Sequence, residues 1–227
     1  MVVAKTASTK PILFQKALSA FWKNSGRKDL PWRHTQDPWK ILLTEVLLRK
    51  TTSGQAVKVY AVVSALTPKQ VVGTPESELQ EILKPLGLYR VRATQLKKTA
   101  AEVLKQGENA LRDPEFLESL PGIGSYIRNA VLCFAYGLPK PALDTNMLRV
   151  IQRVFDYKVE RSRAREDKKL WEFAETLVPK KKSREYNWAV LDLAAAVCTA
   201  RNPKCSECPL ISICCFGSRA SSPTQTS

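Results

Sequence analysis

Four cysteines crowd into seventeen positions, Cys198, Cys205, Cys208 and Cys214, with six, two and five residues between them and with Pro203 and Pro209 in their midst. Thiolates this close can hold a tetrahedral zinc ion or a four-iron cluster, because either accepts four sulfur ligands. Zinc ribbons and fingers set their ligands as two tight pairs across a longer loop, so the uneven spacing here favours a [4Fe–4S] cluster. The first ten residues lack the hydrophobic stretch of a signal peptide, and in the cytoplasm thus expected, six cysteines serve metal ligation or burial rather than disulfides. Cys133 stands in an apolar stretch and reads as core, while Cys215, next to a ligand, has no role assigned from sequence.

A second chemical motif is the run Leu120-Pro121-Gly122-Ile123-Gly124 between two expected helices. Its glycines permit unusual backbone angles and leave room for a close approach. The amides of such a turn, with the N-terminus of the helix that follows, make a favourable seat for a phosphate oxygen. An ordinary turn between two helices can look the same. Twenty residues past Gly124, Asp144 opens the stretch Thr145-Asn146-Met147-Leu148-Arg149. Aspartate is a preferred N-cap, and capping is compatible with chemistry. A carboxylate fixed at a helix start, and kept ionised by the dipole, is suited to face developing positive charge. Glu45 lies in the largely apolar run Ile41–Leu48 with Arg49 four residues on, which allows either a surface ion pair or a carboxylate turned into a pocket.

The elements that must position these residues are helical. Apolar residues recur at helical spacing, as in Ile12, Leu13, Ala17 and Phe21 and again in Val57, Tyr60, Ala61 and Ala65, and no long alternating run suggests a sheet. The sequence predicts an all-α protein with helices near 11–24, 38–52, 54–66, 75–84, 90–106, 114–119, 125–136, 145–155, 166–177 and 184–197, flanked by flexible tails at 1–10 and 217–227. Lys and Arg outnumber Asp and Glu by 36 to 21, a formal charge of +15 over 227 residues, and such an excess draws polyanions, nucleic acid first among them. Basic residues are densest from Lys158 to Arg184, including Arg161, Arg163, Arg165, Lys168, Lys169 and Lys180 to Lys182, where a solvated face and a patch tracking a phosphate backbone are both open. No apolar run reaches the roughly twenty residues of a membrane span.

Together, Leu30-Pro31-Trp32-Arg33, the stretch Thr44 to Thr51, the hairpin Leu120–Tyr126, Asp144–Arg149 and the four cysteines resemble, in this order, the endonuclease III superfamily of helix-hairpin-helix DNA glycosylases. The likeness covers about residues 11–216 and is greatest to the archaeal thymine-DNA glycosylases of G·T mismatches. It implies two helical domains with the active site between them: a six-helix barrel over 29–138 containing the hairpin, and an iron–sulfur domain made of 11–28 and 139–216. It further implies duplex DNA with a mismatched or damaged base as partner, Asp144 as catalytic carboxylate, Glu45 and Tyr126 in the base pocket, and Gly122, Ile123 and Gly124 at a phosphate. Arg49, Lys50, Thr51 and Tyr89 would stand where such enzymes fill the vacated stack or touch the opposite strand. Tyr126 replaces the lysine of the bifunctional members, and a phenol cannot form the Schiff base that leads to strand cleavage. A monomeric, monofunctional glycosylase is therefore expected, acting on DNA in the cytoplasm. Arg49-Lys50 stands where adenine glycosylases carry Gln-Gln, Thr145 stands where they carry Gly, and the sequence runs only a short way past the cysteines, without their further domain. These departures favour thymine or uracil opposite guanine over the alternative, adenine opposite oxidised guanine. A non-catalytic, cluster-bearing DNA-binding protein is the alternative of a different class.

Overall fold

The computed structural model describes residues 4–159 and 167–220. Among the described residues there are twelve α-helices and no strand: α1 (Ala4–Ser25), α2 (Pro38–Leu48), α3 (Ser53–Val63), α4 (Pro68–Gly73), α5 (Glu76–Leu83), α6 (Tyr89–Gln106), α7 (Pro114–Ser119), α8 (Ser125–Phe134), α9 (Thr145–Phe155), α10 (Lys168–Thr176), α11 (Ser183–Ala196) and α12 (Cys215–Ala220). None of them is long and apolar enough to cross a membrane.

The chain divides into two units, residues 28–138 and residues 1–27 with 139–227. In the first, α6 runs against α4 and α5, and α2 packs on α8 and α3. Leu42, Leu43, Leu47, Leu79, Leu96, Leu117 and Leu132 are fully buried there. Local chemistry fixes several helix starts: Asp37 caps α2 through the Lys40 amide with Pro38 in the first turn, and Thr52 with Gln55 forms a capping box on α3. The second unit packs α11 on α1 and α9 around Phe14, Leu18, Met147, Ile151, Leu170, Val190 and Leu193. Its two stretches of chain are tied by Arg27, whose backbone amide and Nε donate to the buried Asp192 carboxylate at 2.9 and 2.8 Å.

Three expectations need correction. Residues 4–10 are helical, because α1 starts at Ala4 and continues through Pro11, a residue that more often opens a helix than interrupts one. Residues 217–220 belong to α12 rather than to a tail; residues 1–3 and 221–227 of the expected tails lie outside the described residues. The helix over 38–52 stops at Leu48: Arg49 is extended and Lys50 left-handed, with φ of 51°. The six-residue α4, started by the Thr67–Gln70 capping box, was not foreseen, because six residues carry too little periodicity to see. Of the basic cluster, Arg161, Arg163 and Arg165 lie outside the described residues.

Candidate active site

In the unit of residues 28–138, two of the residues singled out from sequence meet. Glu45, on the inner face of α2, is only 4 % exposed, and its Oε2 accepts a hydrogen bond from the Tyr126 hydroxyl at 2.8 Å. Tyr126 comes from the first turn of α8, directly after the glycine turn. A buried carboxylate is tolerated only when hydrogen-bonded, and the phenol of Tyr126 supplies one such bond.

The glycine turn itself divides its work. Gly122 has φ of +72°, and a Cβ there would overlap the side-chain amide of Gln95. The left-handed φ is what favours glycine here, since the Gln95 amide is the end of a side chain that can shift. Gly124 has nothing within 4 Å of the place its Cβ would occupy, so its backbone lies beside open space at the start of α8. Ile123 is buried and anchors the turn. Gln95 Nε2 donates to the Pro121 carbonyl at 2.5 Å, and Arg49 Nη1 donates to Gln95 Oε1 at 3.3 Å and to the Gly122 carbonyl at 3.2 Å. The guanidinium of Arg49 thus turns to the hairpin, whereas Lys50 is exposed. Thr51 is half-buried, and Tyr89 is half-buried with the Arg90 guanidinium 5.7 Å from its ring centre.

The other unit holds Asp144 and the cysteines. Asp144 is the N-cap of α9: Oδ1 accepts the amides of Asn146 and Met147 at 2.9 and 2.7 Å, and Oδ2 accepts the Asn146 side chain at 2.6 Å. Burial raises its pKa and outweighs these bonds and the nearby Arg149 charge. Desolvation is thus the larger effect on this group, acting against the helix start and the hydrogen bonds that favour its ionised form. A carboxylate poorly solvated before reaction gains more when positive charge develops next to it.

Two contacts that the sequence did not suggest hold this arrangement. Asn187, wholly buried on α11, accepts the Ala142 amide at 2.7 Å and donates to the Lys140 and Ser183 carbonyls, fixing the segment that delivers Asp144. Arg149 donates to Asn146 Oδ1 and to the carbonyls of Ala194 and Cys198, which connects the capping network to the cysteine loop. Isolated Asn and Arg residues inside helical stretches give no pattern by which such roles could be read.

Cys198, Cys205, Cys208 and Cys214 line one pocket, together with Val150, Val154 and Leu193, that has about 360 Å³ of space including its open mouth. Among the described residues no group of three or more His, Cys, Asp or Glu is drawn together around a single ion. Burial and the neighbouring thiols push the Cys208 thiol up to about 11, and Cys205 is raised for the same reasons. Both shifts disfavour the thiolate forms, which a bound cationic centre would stabilise. The Gly217 amide donates to Cys214 Sγ at 3.4 Å, and Arg153 approaches Cys198 Sγ at the same distance. Cys133 is fully buried, as expected. Cys215 accepts a hydrogen bond from Lys10 Nζ at 3.1 Å.

Comparison with known proteins places this geometry in context. Residues 43–176 match the model of the HhH-GPD superfamily of base excision DNA repair proteins, and residues 198–214 match the iron–sulfur binding domain of endonuclease III. A thymine/uracil-DNA glycosylase of Pyrobaculum aerophilum is 43 % identical over 209 residues, covering 89 % of this chain and 91 % of the relative. An adenine DNA glycosylase of Buchnera aphidicola is 30 % identical over 89 % of this chain but only 58 % of its own length. The solved structure of a thermostable thymine-DNA glycosylase superposes with a TM-score of 0.85 at 36 % identity, over 94 % of this chain and 99 % of that one. The chain belongs to the HhH-GPD superfamily of base excision DNA repair proteins, and its iron–sulfur domain is of the endonuclease III type, with a [4Fe–4S] cluster as cofactor.

Proposed function

We propose that this protein is a monofunctional DNA glycosylase that releases thymine or uracil opposite guanine, the products of deaminating 5-methylcytosine and cytosine. The observation that carries the chemistry is the desolvated carboxylate of Asp144, fixed by three hydrogen bonds at the start of α9. A target base must leave the helical stack, at a cost that is smallest when it is mispaired. As the N-glycosidic bond breaks, the sugar acquires oxocarbenium character, and the Asp144 carboxylate stabilises that charge. The pyrimidine leaves with the bonding pair and takes a proton from water, while a second water adds to the sugar carbon, its proton passing to the Asp144 carboxylate, and an abasic site remains. Glu45, held by Tyr126, accepts the ring N–H of a pyrimidine through its carboxylate. The phenol of Tyr126 carries no amine for a Schiff base, which supports hydrolysis without strand cleavage.

Cys198, Cys205, Cys208 and Cys214 hold the [4Fe–4S] cluster in this reading. When bound, the cluster would supply metal–sulfur crosslinks that pin together the segment from Cys198 to Cys214, between α11 and α12. Gly124 with the first amides of α8 receives a phosphate, and Lys50 faces the orphaned guanine, whose acceptors suit a cation. The enzyme acts as a monomer on DNA in the cytoplasm. The choice of thymine over adenine is supported by the greater likeness to the thymine/uracil enzyme and by its coverage along nearly the whole of both chains.

The test is a comparison of single-turnover rates on duplexes containing G·T, G·U and adenine opposite oxidised guanine, at one salt concentration because phosphate contacts are salt-sensitive. Release of thymine and uracil with adenine inert is expected. Fastest release of adenine overturns the substrate; no release from any duplex overturns the enzyme and leaves a DNA-binding protein.

A further inference from the structure

Arg92 is not singled out by the sequence, yet its guanidinium makes five hydrogen bonds. It lies on α6, is 5 % exposed, and directs its guanidinium at two separate turns. Nε donates to the Gly87 carbonyl at 3.0 Å. Nη1 donates to the carbonyls of Val46 at 2.6 Å and Leu47 at 3.3 Å, and Nη2 to the Arg49 carbonyl and to Thr51 Oγ1 at 2.7 Å. Five N–H groups thus meet five acceptors, the full capacity of a planar fork. Three of the acceptors are carbonyls at the end of α2, where a helix leaves such groups unpaired. Arg92 thus captures carbonyls where α2 ends at Leu48 and the chain turns.

Both turns it grips carry an exposed residue in a left-handed conformation, Lys50 with φ of 51° and Leu88 with φ of 51°. Side-chain-bearing residues adopt that region only when their surroundings enforce it. Gln95, three residues on and thus on the same face of α6, bonds the Pro121 carbonyl and receives Arg49, which in turn reaches the Gly122 carbonyl. One face of α6 therefore braces the Lys50 turn, the Leu88 turn and the glycine hairpin against each other.

We propose that Arg92 is the positioning residue of the DNA-engaging edge, holding Lys50 outward and in register with the hairpin. The role of that edge rests on the glycosylase reading; the clamp itself rests on the geometry of α6. Because Arg92 acts through Lys50, its loss should matter only while Lys50 is present, which separates positioning from general packing.

The experiment is a double-mutant cycle of Arg92→Lys and Lys50→Ala, read by affinity for a G·T duplex in fluorescence anisotropy and by single-turnover thymine release. Lysine keeps the charge and loses the fork. Arg92→Lys should weaken binding and slow release by about tenfold in the wild-type background, but by less than about twofold in Lys50→Ala. Thr51→Val, which removes one acceptor from a loop, should give a smaller effect with the same dependence on Lys50, and it serves if Arg92→Lys does not fold. Equal factors in both backgrounds, or no loss at all, would overturn the positioning role. A wild type that binds the duplex without releasing a base sinks the glycosylase reading, while the cycle in binding still decides the role of Arg92.

Discussion

Replacing Asp144 by Asn keeps the shape and removes the charge, and the structure gives opposite signs for its two consequences. The amide oxygen can still accept the Asn146 and Met147 amides, now made at 2.9 and 2.7 Å. Its NH₂ faces the Asn146 side-chain donor, which cannot reverse freely because Asn146 Oδ1 is held by Arg149 at 3.1 Å. The loss of that bond costs about 1 kcal/mol. Against it stands burial, which raises the Asp144 pKa in spite of every favourable contact. The folded protein thus holds this proton more tightly than the unfolded chain does. Ionisation subtracts stability above the folded pKa, and the penalty disappears below the unfolded value near about 3.9. The variant should therefore melt above wild type at neutral pH. The difference should close as the pH falls below about 4. Thymine release should fall roughly a hundred- to a thousandfold, the usual cost of losing a group that faces transition-state charge. Calorimetry across pH and single-turnover kinetics check the two halves. A variant less stable than wild type at neutral pH would show that capping outweighs desolvation, and unchanged release would falsify the catalytic assignment.

The glycines give a paired contrast: Gly122→Ala should destabilise by about 1–3 kcal/mol through its positive φ, whereas Gly124→Ala should melt like wild type. Weaker duplex binding by Gly124→Ala would support a backbone contact there; unaltered binding by a folded Gly124→Ala would remove the phosphate from that site. Cys205→Ser should lower iron and acid-labile sulfide from about four of each per chain, with loss of visible absorbance; full retention of iron would exclude Cys205 as a ligand. Tyr126→Phe strips the 2.8 Å bond from buried Glu45 and should cost about 1.5–3 kcal/mol in urea melts; an unchanged midpoint would mean that Glu45 finds another donor.

The chemical motifs were legible because each concentrates a rare residue type at short range. Cysteines at 198–214, glycines at 122 and 124 and a capping aspartate at 144 carry their physics locally, and so do the long amphipathic helices. What sequence left hidden depends on contacts between residues far apart in the chain. Arg92 is 46 residues from Val46, and nothing in the run Leu88–Gln95 marks one arginine out of two as buried. Glu45 and Tyr126 are 81 residues apart; each was suspected alone, and only the fold shows that one supports the other. The end of α2 was misjudged for the same reason, since the group that captures its carbonyls lies on α6. Desolvation of Asp144 is likewise a property of packing, and the local rule for helix starts pointed the opposite way.

The central claim is tested most directly with one labelled G·T duplex, incubated with excess protein and resolved by denaturing electrophoresis with and without hot alkali. The account predicts an intact thymine-bearing strand before alkali, cleavage at the mismatched position after it, and free thymine in solution. A strand already cut before alkali would contradict hydrolysis without lyase activity, and a strand that survives alkali would contradict base release altogether.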